Sequence, residues 1–460
     1  MKNVLIVGFV GFVSWFLIIM ISQHEAEAIP AFARKYETSC QTCHVAYPKL
    51  TPFGEAFRQN GFQWPGDIEN EEVNTKDEPV ELGAEAYKRV FPDAVWPGAI
   101  PGGIPISFRA RSGFKWEDDG LGSISAFELP TLQTMMAGTL GDNVSFFVGA
   151  HLFEEGNFDR ASVDRFYLKL DNLFSGTLPD NALYVRFGQF IPEIVPFASN
   201  HRGLTLSSYA FNTYSPGLGD EFIAGHVHGS AEHNEAEAGE HIHEETTALG
   251  PQFGIENFQL GVEASGIIKK RFRYVLGFVN GGGIAEENNA AKDGYFRFAY
   301  KFGGMAFDGS GGASESNSNW IDNSFALGIF GYRGFAFNEG GFGPRDLKIE
   351  RLGMDFSWFL GDLNLYGGFM RGGDELLGQT EVQTVDFNMF FAEANYVIYP
   401  WMIGVLRYEQ ADPEGMNTIY RIVPNLTLLY RANIKFGLET RIDPNDPDFS
   451  VFLLGVDFAY

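Results

Sequence analysis

The feature that most limits what this chain can fold into is an alternation of period two that recurs along most of its length. Between residues 433 and 442, Ile434, Phe436, Leu438 and Ile442 alternate with Lys435, Gly437, Glu439 and Arg441. Residues 295–302 set Phe296, Phe298, Tyr300 and Phe302 against Arg297, Ala299 and Lys301, and residues 271–278 set Phe272, Tyr274, Leu276 and Phe278 against Arg271 and Arg273. The final run sets Phe452, Leu454, Val456, Phe458 and Tyr460 against Gly455, Asp457 and Ala459. In a strand, successive side chains point to opposite faces, so each run makes one apolar and one wet side. A soluble antiparallel sheet gives the same pattern in any single strand. The number of runs, their Phe- and Tyr-rich face and the aromatic last strand point instead to an all-β outer-membrane barrel, apolar outside and polar within.

Sixteen antiparallel strands can be placed between residues 104 and 460, the first at 104–116 and the last at 450–460. Connections at 140–143, 361–362, 399–400 and 430–432 are short, and those between alternate pairs are long and rich in Gly, Asp and Asn. This is the asymmetry of short periplasmic turns and long outer loops. The connection 303–319 departs from it, being long where the alternation calls for a periplasmic turn. Sixteen strands leave a real lumen, which Arg165, Lys169, Arg186, Arg297, Arg351 and Asp355 are expected to line.

The front of the chain reads as an exported segment. Lys2 precedes an uncharged run from Val4 to Ile21, and Ala26-Glu27-Ala28 is a small-x-small cleavage site, so residues 1–28 are read as a cleaved signal peptide. The alternative is an uncleaved anchor, because the run is just long enough to span a bilayer. After Ile29 no stretch could be a spanning helix, so a membrane protein here must be a barrel. Residues 29–80 form a small separate segment, 81–103 a linker with Pro92, Pro97 and Pro101 among glycines, and 104–460 the porin-like barrel. A net charge of −26 argues against nucleic acid as a partner.

Within the small segment lies Cys40-Gln41-Thr42-Cys43-His44, and these are the chain's 2 cysteines. Cys-x-x-Cys-His is the c-type haem attachment pattern. Each thiol adds to one vinyl group of one haem c, and the imidazole of His44 becomes the proximal ligand of the iron. A dithiol redox pair has no need of the adjoining histidine, and a zinc site needs more ligands than three adjacent residues supply. About fifty residues are too few for a sound core, so the segment would gain from a wall around it.

Taken together, an export signal, Pro30-Ala31-Phe32-Ala33-Arg34, the haem pentapeptide, Pro48-x-Leu50-x-x-Phe53-Gly54-x-x-Phe57-x-x-Asn60-Gly61 and a C-terminal barrel resemble the fused monohaem cytochrome–porins. The best known members are outer-membrane iron oxidases of Fe(II)-oxidising bacteria. The resemblance implies a cytochrome segment in or at the barrel mouth. It also implies extracellular Fe(II) as electron donor, periplasmic c-type cytochromes as acceptors and the outer membrane of a Gram-negative cell as location.

The distal side of the haem is open in the sequence. Between His44 and Met135 there is no methionine and no further histidine. The barrel can supply the ligand from His201, which opens a very long loop. It can also do so from His151, in phase with Ser145 and Gly149, or from Met135, in phase with Gln133 and Thr139. Lys49 is a weaker nearby group, and a five-coordinate iron is the remaining option. The long loop, from about 191 to 256, is placed outside the cell. It carries His226, His228, His233, His241 and His243 among six glutamates. Imidazole with carboxylate suits divalent metals, copper and zinc more than ferrous iron. The loop is a metal collector or a plain polar low-complexity stretch. Three functions compete: a conduit oxidising an extracellular donor, a solute porin whose haem segment is a plug or docking element, and a conduit running outward.

Overall fold

The computed structural model describes residues 31–460 apart from 37, 65–79, 82–88, 91–98, 101–105, 120–121, 142, 154–160, 195–196, 199–201, 217–252, 282–290, 312–317, 339–344, 378–381 and 446–448. The signal segment, most of the linker, His201 and the five histidines of the long loop thus lie outside the described residues.

The alternating runs close into one antiparallel ring. Its strands are β5 (Ile106–Asp119), β6 (Ser123–Thr139), β7 (Val144–Phe153), β8 (Ser162–Leu170), β9 (Tyr184–Phe190), β10 (Gln259–Ile268), β11 (Phe272–Val279), β12 (Asp293–Gly303), β13 (Ser324–Asn338), β14 (Arg345–Leu360), β15 (Leu363–Leu377), β16 (Val382–Tyr399), β17 (Met402–Pro413), β18 (Ile419–Arg431), β19 (Ile434–Ile442) and β20 (Phe449–Ala459). The seam pairs β20 with β5, from Phe449 opposite Asp119 to Ala459 opposite Arg109, so the barrel has no free edge. The short turns 140–143, 269–271, 361–362, 400–401 and 432–433 share one end with the start of β5 and the finish of β20. That end is periplasmic by the rule for such barrels.

Two details differ from the sequence reading. Only 120–122 separate β5 from β6, because both strands run further than their clearest alternation. The long connection 304–323 keeps the strand count intact and folds inward. There Lys301 pairs with Asp322 at 2.8 Å, and the Met305 N–H donates to the same carboxylate at 2.6 Å.

Inside and outside follow the period. Leu276, Phe278, Tyr300, Phe302, Leu352, Met354 and Trp358 are exposed on the outer wall. Ladder pairing satisfies their backbone groups, so this face can meet lipid. All six lumen residues expected from the sequence point inward. Arg297 pairs with Asp355, Arg351 with Asp374, Arg186 with Glu263 and Lys169 with Asp171, while Arg165 approaches Asp164 at 3.6 Å.

Two stretches of the described chain lie within the lumen. The first part of the long loop, expected outside the cell, turns back into the barrel after Phe190. It carries the one-turn helix α4 (Ala210–Thr213), which the alternation could not reveal. A chain without a ladder partner must satisfy its backbone groups elsewhere, and the wall supplies them. Glu439 accepts from the N–H groups of Leu206 (2.6 Å) and Ser207 (3.0 Å), and Glu409 from that of Ala210 (2.6 Å). Fully buried Arg407 donates to Thr205 Oγ1 (2.9 Å) and to the carbonyls of Ser207 (3.2 Å) and Ser208 (3.0 Å). Around these bonds Phe197, Tyr209, Phe211, Tyr214 and Phe253 join Phe330, Tyr332, Tyr366, Phe387 and Phe391 of the wall in one apolar cluster.

The N-terminal segment takes the periplasmic end of the lumen. It comprises α1 (Ala31–Lys35), α2 (Cys40–Cys43), the hairpin β1 (His44–Ala46) and β2 (Lys49–Leu50), and α3 (Pro52–Gln59). A further short pair, β3 (Val80–Glu81) and β4 (Ala99–Ile100), follows it. Ala31 N–H donates to Ser107 Oγ (3.0 Å), Arg34 to the Ile106 carbonyl (2.7 Å) and Gln41 to the Pro400 carbonyl (3.4 Å). The segment borrows its core from the wall. Phe57 and Phe62 pack with Ala137 and Phe147, and Val45 and Ala46 with Val397, Ile403, Val405 and Leu429.

Candidate haem site

Two capped helices set the geometry. Ser39 caps α2, its Oγ accepting from the Gln41 N–H at 3.3 Å, and Thr51 caps α3, its Oγ1 accepting from the Gly54 N–H at 3.0 Å. Pro52 occupies the first turn of α3, where its missing N–H costs nothing. Gly54 lies against α2 so closely that a Cβ would drive into the Cys43 carbonyl. Cys40, Cys43 and His44 consequently face a single cavity of about 310 Å³. Its apolar lining includes Phe32, Leu50 and Phe57 from the segment and Ala137 and Phe147 from the wall, and Ala306 and Phe307 come from the long periplasmic connection.

The chemistry of these donors fits a covalently held haem. His44 Nδ1 lies 3.1 Å from the Pro48 carbonyl. A carbonyl only accepts, so Nδ1 carries the proton and the Nε2 lone pair remains available to a metal. Burial pushes the imidazole down to about 4, so it is neutral, as a ligand must be. Burial pushes the thiols of Cys40 and Cys43 up, to about 11 and about 12. Basic side chains border the cavity: Arg109 is held by Asp457 at 2.9 Å, and Arg165 approaches Asp164 at 3.6 Å.

The expected distal residues part company. Met135 lines the cavity, and the Tyr47 hydroxyl lies 3.8 Å from its Sδ. His151 points inward but meets the side-chain amide of Gln133, and Gln133, not His151, borders the cavity. His201 is outside the described residues, between Ala198 and Arg202, which line the cavity. Lys49 is turned away, because in the hairpin its side chain alternates with that of Leu50. Its Nζ lies 4.7 Å from the Tyr366 ring centroid, where burial pushes it down to about 7.

One element of the site was not foreseen. Glu193, from the inserted loop, meets Arg58 of α3 and Arg273 of the wall, with Arg186 at 3.8 Å. Glu55 of α3 likewise meets Arg202 of the loop. The available signal was the apolar density of the loop, where Ile194, Phe197, Tyr209 and Phe211 are too many for an exposed connection.

No protein-family model matches the chain, and no curated protein is similar to it in sequence. Solved structures are similar in fold. The anion-selective porin from Comamonas acidovorans is 11% identical, covers 77% of this chain and 98% of its own, and superposes with a TM-score of 0.50. OmpF of Salmonella typhi, in complex with daunomycin, is 10% identical, covers 79% and 98%, and gives 0.50. The chain is a closed sixteen-strand barrel of the outer-membrane porin type. Likeness at this identity speaks to the fold alone.

Proposed function

We propose that the chain is an outer-membrane electron conduit of the fused cytochrome–porin kind. In this reading one haem c is bound through Cys40 and Cys43 and ligated by His44. Each turnover takes one electron from an extracellular donor, Fe(II) first among them, and delivers one to a periplasmic c-type cytochrome. The observation that carries the reading is the convergence of both cysteines and a tautomerically fixed His44 on one cavity at the periplasmic end of the barrel. That position suits handover to a periplasmic partner. The outer part of the lumen then lies between donor and haem. Phe197, which borders the cavity, is in ring contact with Phe391 (5.0 Å), which contacts Phe211 (4.9 Å), which contacts Phe330 (6.2 Å). In this reading the electron crosses packed aromatic protein of this kind.

The test is stopped-flow mixing of the purified full chain with Fe(II), followed by haem absorbance from acid to neutral pH. Reduction on mixing supports the reading, and absence of reduction at every pH retires iron as donor. A chain without covalently bound haem after export retires the conduit altogether.

A second reading, a solute porin with the haem segment as plug, draws on the likeness to porins of known structure. It predicts steady ion conductance in planar bilayers.

A further inference from the structure

We propose that Met135 is the distal ligand of this site, which makes the haem a His44/Met135 centre whose sixth ligand comes from the barrel wall. The inference rests on the haem reading above. Among the described residues lining the cavity, the imidazole of His44 and the thioether of Met135 are the donors of the types that c-type haem iron takes from side chains. His151 is engaged by Gln133 on the far side of that residue.

The barrel register leaves Met135 room to act. Its cross-strand partners are Ser107 on β5 and Gly149 on β7, two small residues on either side of a long unbranched one. Gly149 borders Asp164 and Arg165 so closely that a Cβ there would stand 2.8 Å from the Asp164 carboxylate. The thioether is unbranched and flexible, and it borders the cavity. Tyr47 links it to the proximal side. Its ring lies 5.1 Å from that of His44, while its hydroxyl points to Met135 Sδ. Arg109 packs on the other side of this arrangement, 4.9 Å from the Tyr47 ring, and is anchored by Asp457. Tyr47 is a positioning residue: its O–H can donate to sulfur and draw electron density from it.

The arrangement has a functional consequence. A thioether opposite histidine raises the reduction potential of a haem relative to two imidazoles. The site is then suited to take electrons from a weakly reducing donor. It also joins the two parts of the chain through the iron, so a docked segment and a six-coordinate haem are one state.

The experiment uses the full chain, exported and membrane-inserted, with covalent haem verified by mass. The variants are Met135→Leu, which nearly keeps volume, Met135→His, Tyr47→Phe and His201→Ala. The readouts are the weak red charge-transfer band of a thioether bound to ferric haem, carbon monoxide binding by the reduced protein, and midpoint potential. Wild type and His201→Ala should show the band and resist carbon monoxide. Met135→Leu should lose the band and bind carbon monoxide. Met135→His should give a low-spin bis-imidazole spectrum at lower potential, and Tyr47→Phe should keep the band but lower the potential. If Met135→Leu docks poorly, the Met135→His spectrum still decides, since a high-spin result means the side chain does not reach the iron. An unchanged Met135→Leu spectrum overturns the proposal while leaving the haem reading intact, and a wild type without the band whose low-spin spectrum turns high-spin in His201→Ala hands the role to that residue. A wild-type chain without haem overturns both.

Discussion

Replacing Glu193 by Gln should loosen the inserted loop without opening the barrel. The carboxylate joins three parts of the molecule: α3 through Arg58, and the wall through Arg273 and Arg186. Glu193→Gln keeps the shape and removes the charge. Arg58 retains Glu55 at 3.2 Å and Arg186 retains Glu263 at 2.8 Å, so the main casualty is Arg273. Stranding one partner of a buried ion pair costs about 3–5 kcal/mol. The side chains of Glu193 and Arg273 keep 15% and 12% of their exposure, which favours the lower end. About 3 kcal/mol corresponds to roughly a 150-fold rise in the local opening equilibrium. The ring of strands does not depend on this contact, so the change should be confined to residues 191–216. Hydrogen exchange by mass spectrometry reads it directly. The double variant Glu193→Gln, Arg273→Gln should recover much of the protection, because no cation is then left without its partner. Burial alone would raise the Glu193 carboxyl, but Arg58, Arg273 and Arg186 outweigh it and hold it well below the usual carboxylate range. A depressed carboxylate contributes stability that is complete above its unfolded pKa and is lost as pH falls through the folded one. Protection of 191–216 should therefore hold from neutral pH to about 4.5 and fail only in stronger acid. Unchanged exchange in Glu193→Gln, or a loss spread evenly over the barrel strands, would refute this account of the hub.

Gly54→Ala should cut the yield of haem-loaded protein several-fold while the barrel still forms, measured as the ratio of haem absorbance to folded protein. The added Cβ drives α3 off the Cys43 carbonyl. Phe391→Ala removes a fully buried ring that touches Phe197, Tyr209 and Phe211, at a cost of about 3–5 kcal/mol. Planar-bilayer recordings should find wild type nearly silent and this variant intermittently conducting. Deleting residues 191–215 should give steady channels; a wild type conducting as freely as the deletion variant would mean that the lumen filling does not seal the barrel.

The barrel was legible because its period leaves a mark in every strand. Arg297 and Lys301 facing in with Tyr300 and Phe302 facing out need nothing beyond residues 295–302. The surroundings of the candidate site were not legible. The spacing of Cys40, Cys43 and His44 is local and carries the haem proposal, yet what walls these residues lies far along the chain, at Ala137, Phe147 and Val397. The inserted loop was missed for a related reason. It has no period, and its backbone donors find Glu409 and Glu439 about two hundred residues later. Nothing local encodes such a pairing. The connection at 303–319 is long at the periplasmic end, as the alternation placed it, and its Ala306 and Phe307 line the cavity.

The enclosure of Cys40, with Cys43 partly exposed beside it, has a consequence for how the protein is made. Once the segment is seated, Cys40 is 7% exposed, and both thiols are held protonated by burial and hence poor nucleophiles. A protein catalyst of thioether formation cannot follow them into the lumen. On the proposed haem reading, haem would have to be joined to the segment before it docks, and a segment that docked without haem would be shut off from the chemistry that completes it. Slow maleimide labelling of the cysteines in folded, haem-free barrels, against fast labelling in the unfolded chain, is the expected signature.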